Sequence, residues 1–356
     1  GVRAQLRFRR GLERLSRHGV QVFVVHGNHD PCGGAWSAVQ DWPEGVKVFA
    51  DDRVEIVPVE RAGERLAVVY GMSYARRDVT ENLALRFMRQ PGPGPHLALL
   101  HCNLGSDPDY PAYAPCTLED LRQSGMDYWA LGHVHQRRVV IEEEPWVVYP
   151  GNLQGRSPKA SERGKKGPTL VRVEGGRIRS VQFEPVPHVR FVEYAIDIRG
   201  LDDIAAVIDA AERALDAERQ EGRATGYVVR VRLTGRGALH ADLQRPGTVE
   251  EIVRTLRDNA GDSTPFAWWA GMLDETRLEI DRDAILARGD FSAELVSLSS
   301  QLGGDPERLA TLLATLVGDL DRHQATRFLD AGPPDGASLL SEAESLALDR
   351  LESEAE

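Results

Sequence analysis

The sequence has no apolar run near the roughly 18 residues that a membrane-spanning helix needs, and no charged-then-apolar leader opens it. Neither a membrane protein nor an exported one is indicated, and the expectation is a cytoplasmic protein. Cysteine is scarce. Cys32, Cys102 and Cys116 show no CxxC spacing, which excludes a disulfide framework and a zinc knuckle and fits a reducing compartment. A surplus of positive charge is also lacking: the 356 residues carry a formal net charge of -12. That excludes a general nucleic-acid coat protein, since backbone binding relies on Lys and Arg neutralising phosphates. The deficit is uneven, however. The opening GVRAQLRFRRGLERLSR and the stretch GRSPKASERGKKG (155–167) are basic, whereas the charged positions near the C-terminus are almost all acidic. A local basic surface can coexist with an acidic total.

What is present is a chain long enough for two domains and a tail. The first residue is Gly, and Leu6, Leu12 and Leu15 already fall near helical spacing, so the expectation is an N-terminal truncation inside or just before an amphipathic helix. After that helix the text alternates. Strands are predicted at VQVFVV, VKVFA, RVEIVPV and RLAVVYGMSY, followed by a helix over 81–89 and a turn-rich PGPGP. Then come the strand HLALLH, a helix over 118–124, and strands in DYWALGH, WVVYPG, TLVRVEG and RIRSVQFEPV. A second unit is predicted from residue 188: the strand VRFVEYAIDI, a helix over 201–221, the strand YVVRVRLTG, a helix over 249–258 and the strand TRLEIDR. Beyond Phe291 the period is helical, interrupted at DAGPPDGAS (330–338).

Polar chemistry recurs at strand ends, where layered α/β folds place their sites. The segment VVHGNHDP runs from β-branched residues into two imidazoles, an amide and a carboxylate; HLALLH ends in His101; ALGHVH carries His133 and His135. Imidazoles with amide and carboxylate oxygens form the ligand set of divalent Mn, Fe or Zn. His133 and His135, two apart in an extended segment, point to the same side and could serve two neighbouring metals.

GNHDP, a later strand ending in His101, and ALGHVH, in that order, resemble the calcineurin-like metallophosphoesterase superfamily. The segment VVYPGNLQGRSPK is similar to SbcD-like DNA repair exonucleases of the YhaO-like branch. The resemblance implies a four-layer α/β/β/α sandwich, here N-terminally incomplete, with a smaller α/β capping domain and a helical C-terminal region. It implies Asn28, His101 and His133 on one divalent metal and His135 on a second, Mn²⁺ being the expected ion. It also implies His29 as the acid at the scissile phosphate and Asp30 as the carboxylate that holds the His29 ring. In such enzymes an Asp-x-His and a Gly-Asp precede GNHD, and neither lies before Val20 here. The expectation is therefore an incomplete site that needs ligands not present in this chain.

Blander readings stand beside these. His26 is read as structural and the three cysteines as free thiols. The basic residues Arg156, Lys159, Arg163, Lys165 and Lys166 belong either to a solvated loop or to a surface that holds a DNA backbone. Trp268 and Trp269 could stack on a base, although burial of at least one is favoured. The C-terminal leucines, Leu339, Leu340, Leu346, Leu348 and Leu351, belong to a frayed solvated end or to a docking face.

The resulting expectation is a nuclease core over 1–187, a capping domain over 188–290 and a helical region over 291–356 that could dock a partner. The function expected is metal-dependent hydrolysis of DNA phosphodiesters in double-strand-break repair, beside an SbcC-like coiled-coil ATPase and as a homodimer. The rivals are a small-substrate phosphodiesterase or phosphatase, and a non-enzymatic scaffold.

Overall fold

The computed structural model describes residues 1–353 apart from 35, 36, 40, 106–109, 187, 222, 223 and 321–334. The protein is mixed α/β, with a helical C-terminal region. Two compact units are distinguished: Gly1–Glu193 with Glu218–Val229 and Asp262–Trp268, and Tyr194–Ala217 with Arg230–Gly261 and Trp269–Glu356. Among the described residues, no helix is long and apolar enough to cross a membrane.

The first unit opens with helix α1 (Val2–Arg17), which leads into β1 (Val22–Val24). β1 pairs in parallel with β2 (Val46–Val48). β3 (Glu55–Arg61) and β4 (Glu64–Met72) form a hairpin, and β5 (His96–His101), β6 (Tyr128–Gly132), β7 (Arg138–Ile141) and β8 (Trp146–Tyr149) complete a sheet of order β3-β4-β5-β6-β8-β7. Its central neighbours β4, β5, β6 and β8 are parallel, and the edges β3 and β7 are antiparallel. Parallel strands are covered on both faces and so read as apolar runs. Accordingly Ala98, Leu100, Trp129, Val147 and Val148 are fully buried. Helix α2 (Leu118–Gln123) is started by a capping box between Thr117 and Asp120, and its Leu121 joins the same core. β9 (Thr169–Glu174) and β10 (Arg177–Phe183) form a separate antiparallel pair.

The helix expected over 81–89 reduces to one 3-10 turn, Leu83–Arg86. Phe87 leaves it in an extended conformation and packs its ring 5.1 Å from that of Trp129. Burial of that ring outweighs the weak helical preference of a short segment.

β11 (Val189–Asp197), helix α3 (Ile204–Glu221), β12 (Gly226–Thr234), helices α4 (Leu239–Leu243) and α5 (Thr248–Ala260) and β13 (Phe266–Asp274) follow in a β-α-β-α-β order. The strands form a sheet of order β11-β12-β13. Thr225 N bonds to His188 O before the strands and Ile198 N to Thr234 O at their end, so β11 and β12 run the same way. The third strand expected at TRLEIDR is instead β13, in FAWWAGMLD. There Trp269 supplies a side chain only 2% exposed, whereas Arg277, Leu278 and Glu279 lie at the surface. Trp268, its neighbour on the opposite face of the strand, is 52% exposed.

In the second unit, α6 (Arg282–Arg288), α7 (Phe291–Gly303), α8 (Pro306–Leu320) and α9 (Gly336–Ser353) follow. The interruption expected over 330–338 lies outside the described residues as far as 334. Among the described residues, α9 is anchored rather than a frayed solvated end. Leu348 of α9 is fully buried with Val296 of α7, and Asp349 and Glu344 pair with Arg236, Arg277 and Arg282.

Replacing fully buried Leu100 with Ala should cost about 2–5 kcal/mol by loss of transfer energy and the cavity left behind. Leu153→Ala, at a side chain 63% exposed, should stay within about 0.5 kcal/mol. Urea unfolding followed by tryptophan fluorescence compares them, and equal midpoints would show that the six-stranded sheet is not the core.

Candidate metal and phosphoester site

The strand register brings the polar groups together. β5 and β6 pair in parallel with His101 opposite Gly132, so His101 and the following His133 leave the sheet at the same edge. The His101 ring lies against two glycines: a Cβ on Gly27 would fall 2.4 Å, and one on Gly132 2.7 Å, from its Nδ1. Any side chain at either position would push the imidazole away, which explains the glycines of HGNHD and LGH. Asn28, only 6% exposed, accepts a hydrogen bond on Oδ1 from His101 Nε2 at 2.8 Å. Behind the strand end, the Tyr149 hydroxyl donates to Cys102 O and accepts from Leu104 N, fixing the chain as it leaves His101.

Burial pushes the His101 imidazole down to about 3, and repulsion from His133, His29 and His135 adds to this, with the Asp30 charge acting the other way. His101 is therefore neutral at physiological pH. Its ring meets that of His133 edge-on at 5.2 Å. His133 has φ 99°, a region that a side chain with Cβ seldom adopts, and is 8% exposed. Its Nε2 donates to the Pro111 carbonyl at 2.9 Å, and the rings of Tyr110 and Tyr113 stand edge-on to it at 5.5 and 5.8 Å. Because a carbonyl can only accept, Nε2 carries the proton and Nδ1 the lone pair.

His135 is held by a carboxylate that sequence reasoning passes over. Its Nδ1 donates to Glu162 Oε1 at 2.7 Å, while Glu162 Oε2 accepts from Asn152 Nδ2 at 2.7 Å and Arg156 N at 3.1 Å. Burial works to raise the Glu162 carboxyl, but the hydrogen bonds from His135 and Arg156 outweigh it and hold it below the usual range. A carboxylate that fixes a histidine tautomer in this way is typical of the groups behind metal ligands. The signal for it was in the sequence, ten residues beyond Asn152 of YPGN, but one glutamate in a Gly- and Lys-rich loop has no pattern of its own. Gly151 in that segment has φ +75°, and a Cβ there would meet Arg137 N at 2.7 Å and His135 O at 2.8 Å, so only glycine lets the loop lie on the His135 backbone.

Two expected roles are corrected. Asp30 does not hold His29: its carboxylate accepts from His26 Nδ1 and from Gly27 N, each at 3.0 Å. His26, four residues before it, is the imidazole within reach. His29 itself is exposed and makes no hydrogen bond among the described residues. Lys166 is not a surface contact for DNA. It is 4% exposed and its Nζ donates to His135 O at 3.1 Å and Ser161 O at 2.6 Å. Burial lowers its pKa, partly offset by Glu162. Of the other basic residues, Arg163 pairs with Glu193 at 2.5 Å. Arg156, Lys159 and Lys165 are exposed, and their side chains make no ion pair among the described residues. Cys32, Cys102 and Cys116 are free thiols.

Two of the donor atoms have the spacing of neighbouring ligands on one divalent ion. Asn28 Oδ1 and His101 Nε2, 2.8 Å apart, keep nearly the separation of neighbouring ligands on an ion with bonds of about 2.1 Å, which is about 3 Å at a right angle. Among the described residues, no three His, Cys, Asp or Glu side chains stand close enough to hold a metal.

Residues 3–137 match the family of calcineurin-like phosphoesterases, and residues 191–277 match the family described as metallophosphoesterase YhaO, middle domain. The chain is also similar to a Bacillus subtilis (strain 168) protein described as an uncharacterized metallophosphoesterase YhaO. The two are 35% identical over 328 residues, which cover 92% of this chain and 76% of that protein.

The His26–Asp30 contact predicts a pH signature. The hydrogen bond to Asp30 raises His26 against the opposing effect of burial. For Asp30, burial acts upward but the bonds from His26 and Gly27 win, so it is lowered. The His26 share of stability is full below its unfolded value of about 6.5 and is lost as pH rises through the folded one. The Asp30 share is present above about 3.9 and is lost as pH falls. The pair therefore stabilises most between roughly pH 4 and 6.5. NMR titration should place His26 above its ordinary value in the native chain and lower in Asp30→Asn; the same midpoint in both would show that the contact does not exist in solution.

Proposed function

We propose a substrate for a chain that belongs to the calcineurin-like metallophosphoesterase family and so hydrolyses phosphoesters: the phosphodiester backbone of DNA. The observation that carries this reading is the loop following Gly151. The same short segment that supplies Glu162 to His135 presents Arg156, Lys159 and Lys165 to solvent. Cations carried on a loop tied to a phosphoester site suit a polymer with phosphates on either side of the bond to be cut, because flanking phosphates need neutralising as well as the reacting one.

The residues divide the work by their surroundings. Asn28, His101 and His133 would hold a divalent ion, as calcineurin-like phosphoesterases use, and that ion would supply Lewis-acid polarisation of a phosphoryl oxygen. His101, neutral because it is buried, keeps its lone pair at physiological pH. His29, exposed and without a hydrogen-bond partner among the described residues, is the imidazole placed to donate a proton to the leaving oxygen. His135 has Nδ1–H committed to Glu162, which leaves Nε2 to accept from, or ligate, what enters the site. The finer part of the proposal extends the YhaO- and SbcD-like resemblance: Mn²⁺ as the ion, double-strand-break processing as the task, the cytoplasm as the place and a coiled-coil ATPase as the partner.

The test is release of nucleotides from linear duplex DNA with Mn²⁺ present, with EDTA added, and beside bis-p-nitrophenyl phosphate as a small substrate. Release that EDTA abolishes is expected, and His29→Ala should lower it by on the order of 10²-fold or more. Turnover of the small diester with no preference for DNA would replace this reading with a small-substrate phosphodiesterase. No turnover of either would leave a scaffold.

A further inference from the structure

Helix α1 carries a charge pattern opposite in sign to the chain as a whole. Its sixteen residues include six arginines and one glutamate, in a protein of net charge -12. Arg3, Arg7, Arg10, Arg14 and Arg17 follow each other at alternating steps of four and three, which at 100° per residue confines them to an arc of about 80° on one side of the helix. All five are exposed. Arg17 pairs with Glu13 at 2.5 Å, whereas the side chains of Arg3, Arg7, Arg10 and Arg14 make no ion pair or hydrogen bond among the described residues.

The opposite side of α1 is the one that is anchored. Leu12 is 5% exposed, Gln5 Oε1 accepts from Ala38 N at 2.8 Å, Arg9 pairs with Asp41 at 2.8 Å, and Ser16 Oγ donates to Glu44 O at 2.5 Å. These contacts hold the arginine row outward, on a rigid element of the unit that also contains the imidazole cluster. An ordinary solvated helix face mixes both signs of charge at i,i+4 spacing; four unpaired guanidiniums in a row repel one another and are not explained by local stability.

We propose that the arginine row of α1 is a second contact surface for the phosphate backbone of duplex DNA. The inference rests on the DNA reading above and adds to it where the duplex lies. Between Arg3 and Arg14 the helix rises about 16 Å, a length over which one DNA strand presents about five phosphates, so each of the four arginines can meet one. Guanidinium forks suit phosphate oxygens. An anionic membrane would be met by the same row, since Val2, Leu6, Phe8 and Leu15 are exposed and only Leu12 is buried, and the vesicle measurement below separates it from DNA.

The experiment uses the full chain with Arg3, Arg7, Arg10 and Arg14 all changed to Gln, and a second variant with all four changed to Lys. Anisotropy of a labelled duplex, read in EDTA so that no cutting occurs, gives the affinity between roughly 50 and 200 mM salt. The slope of log affinity against log salt should shrink by about 0.9 for each arginine lost, hence by roughly 3–4 in the Gln variant. Its Kd should rise at least about 10-fold near 0.1 M salt, while the Lys variant should keep most of the slope. Circular dichroism melts of the three proteins control for folding. Unchanged slope and Kd in a folded Gln variant would overturn the inference and leave the DNA reading standing. Absence of DNA binding by the native chain would overturn both. DNA binding with no Mn²⁺-dependent hydrolysis would overturn the nuclease reading and leave the arginine surface supported. Loss of binding to phosphatidylserine vesicles in the Gln variant, with DNA binding kept, would overturn the inference in favour of a lipid surface.

Discussion

The contact on which the site depends is the close approach of the His101 ring to two backbones. Gly27, beyond β1, and Gly132, at the end of β6, each leave room for the imidazole only because they lack a Cβ. One side chain thus fixes the distance between two strand ends that belong to different sheets. Asn28 follows Gly27 directly and His133 follows Gly132, so their side chains are placed by the same two approaches. The β5–β6 register of His101 opposite Gly132 is in turn a consequence of Leu97–Leu100 and Tyr128–Leu131 packing in phase, because a slip of one residue would turn every side chain to the wrong face. Core and site are one construction in this unit: the apolar alternation sets the register, and the register sets the imidazoles.

The outer groups act through what they do to those imidazoles. Pro111 and Glu162 are an acceptor for His133 Nε2 and one for His135 Nδ1, and each selects a tautomer that its histidine would not hold alone. Lys166, buried and donating to two carbonyls, ties the loop that carries Glu162 to the backbone of His135 itself. A buried ammonium is costly unless its protons find partners; here the partners are the two chain segments whose separation determines whether Glu162 reaches His135. The His133 backbone, at φ 99°, adds strain of the order of 1–3 kcal/mol, which the bond to Pro111 O and the packing against Tyr110 and Tyr113 offset.

Much of this was legible in the sequence, for reasons that can be separated. The strand ends at His101 and His133 follow from apolar alternation, which depends on local residues alone. The three polar groups were grouped by order along the chain and by resemblance, and the fold brings Asn28, His101 and His133 into one cluster. What escaped was whatever depends on distance in space. Asp30 sits beside His29 in sequence but bonds to His26, because the turn after β1 folds residue 30 back onto residues 26 and 27. Glu162 and Lys166 occur in a loop whose composition suggests a solvated segment, and only the fold shows them buried. TRLEIDR alternates apolar and charged residues and FAWWAGMLD does not, yet burial of Trp269, with Trp268 left outside, defines the face of β13. A helix was expected over 81–89 for the converse reason: its helical spacing was real, but Phe87 is claimed by Trp129.

The distribution of the histidines bears most directly on chemistry. His101 and His133 are largely buried and His135 is tied to a buried carboxylate. His29 is the reverse: exposed, without a partner among the described residues, yet near enough for its charge to depress His101. If all of these imidazoles were equally wet, protonation of any one would weaken the others at neutral pH. Burial prevents this for His101 by keeping it neutral down to about 3. The fold thus sorts one residue type by its surroundings: the His101 ring is wedged against Gly27 and Gly132, His133 is buried beside it, and His29 lies exposed.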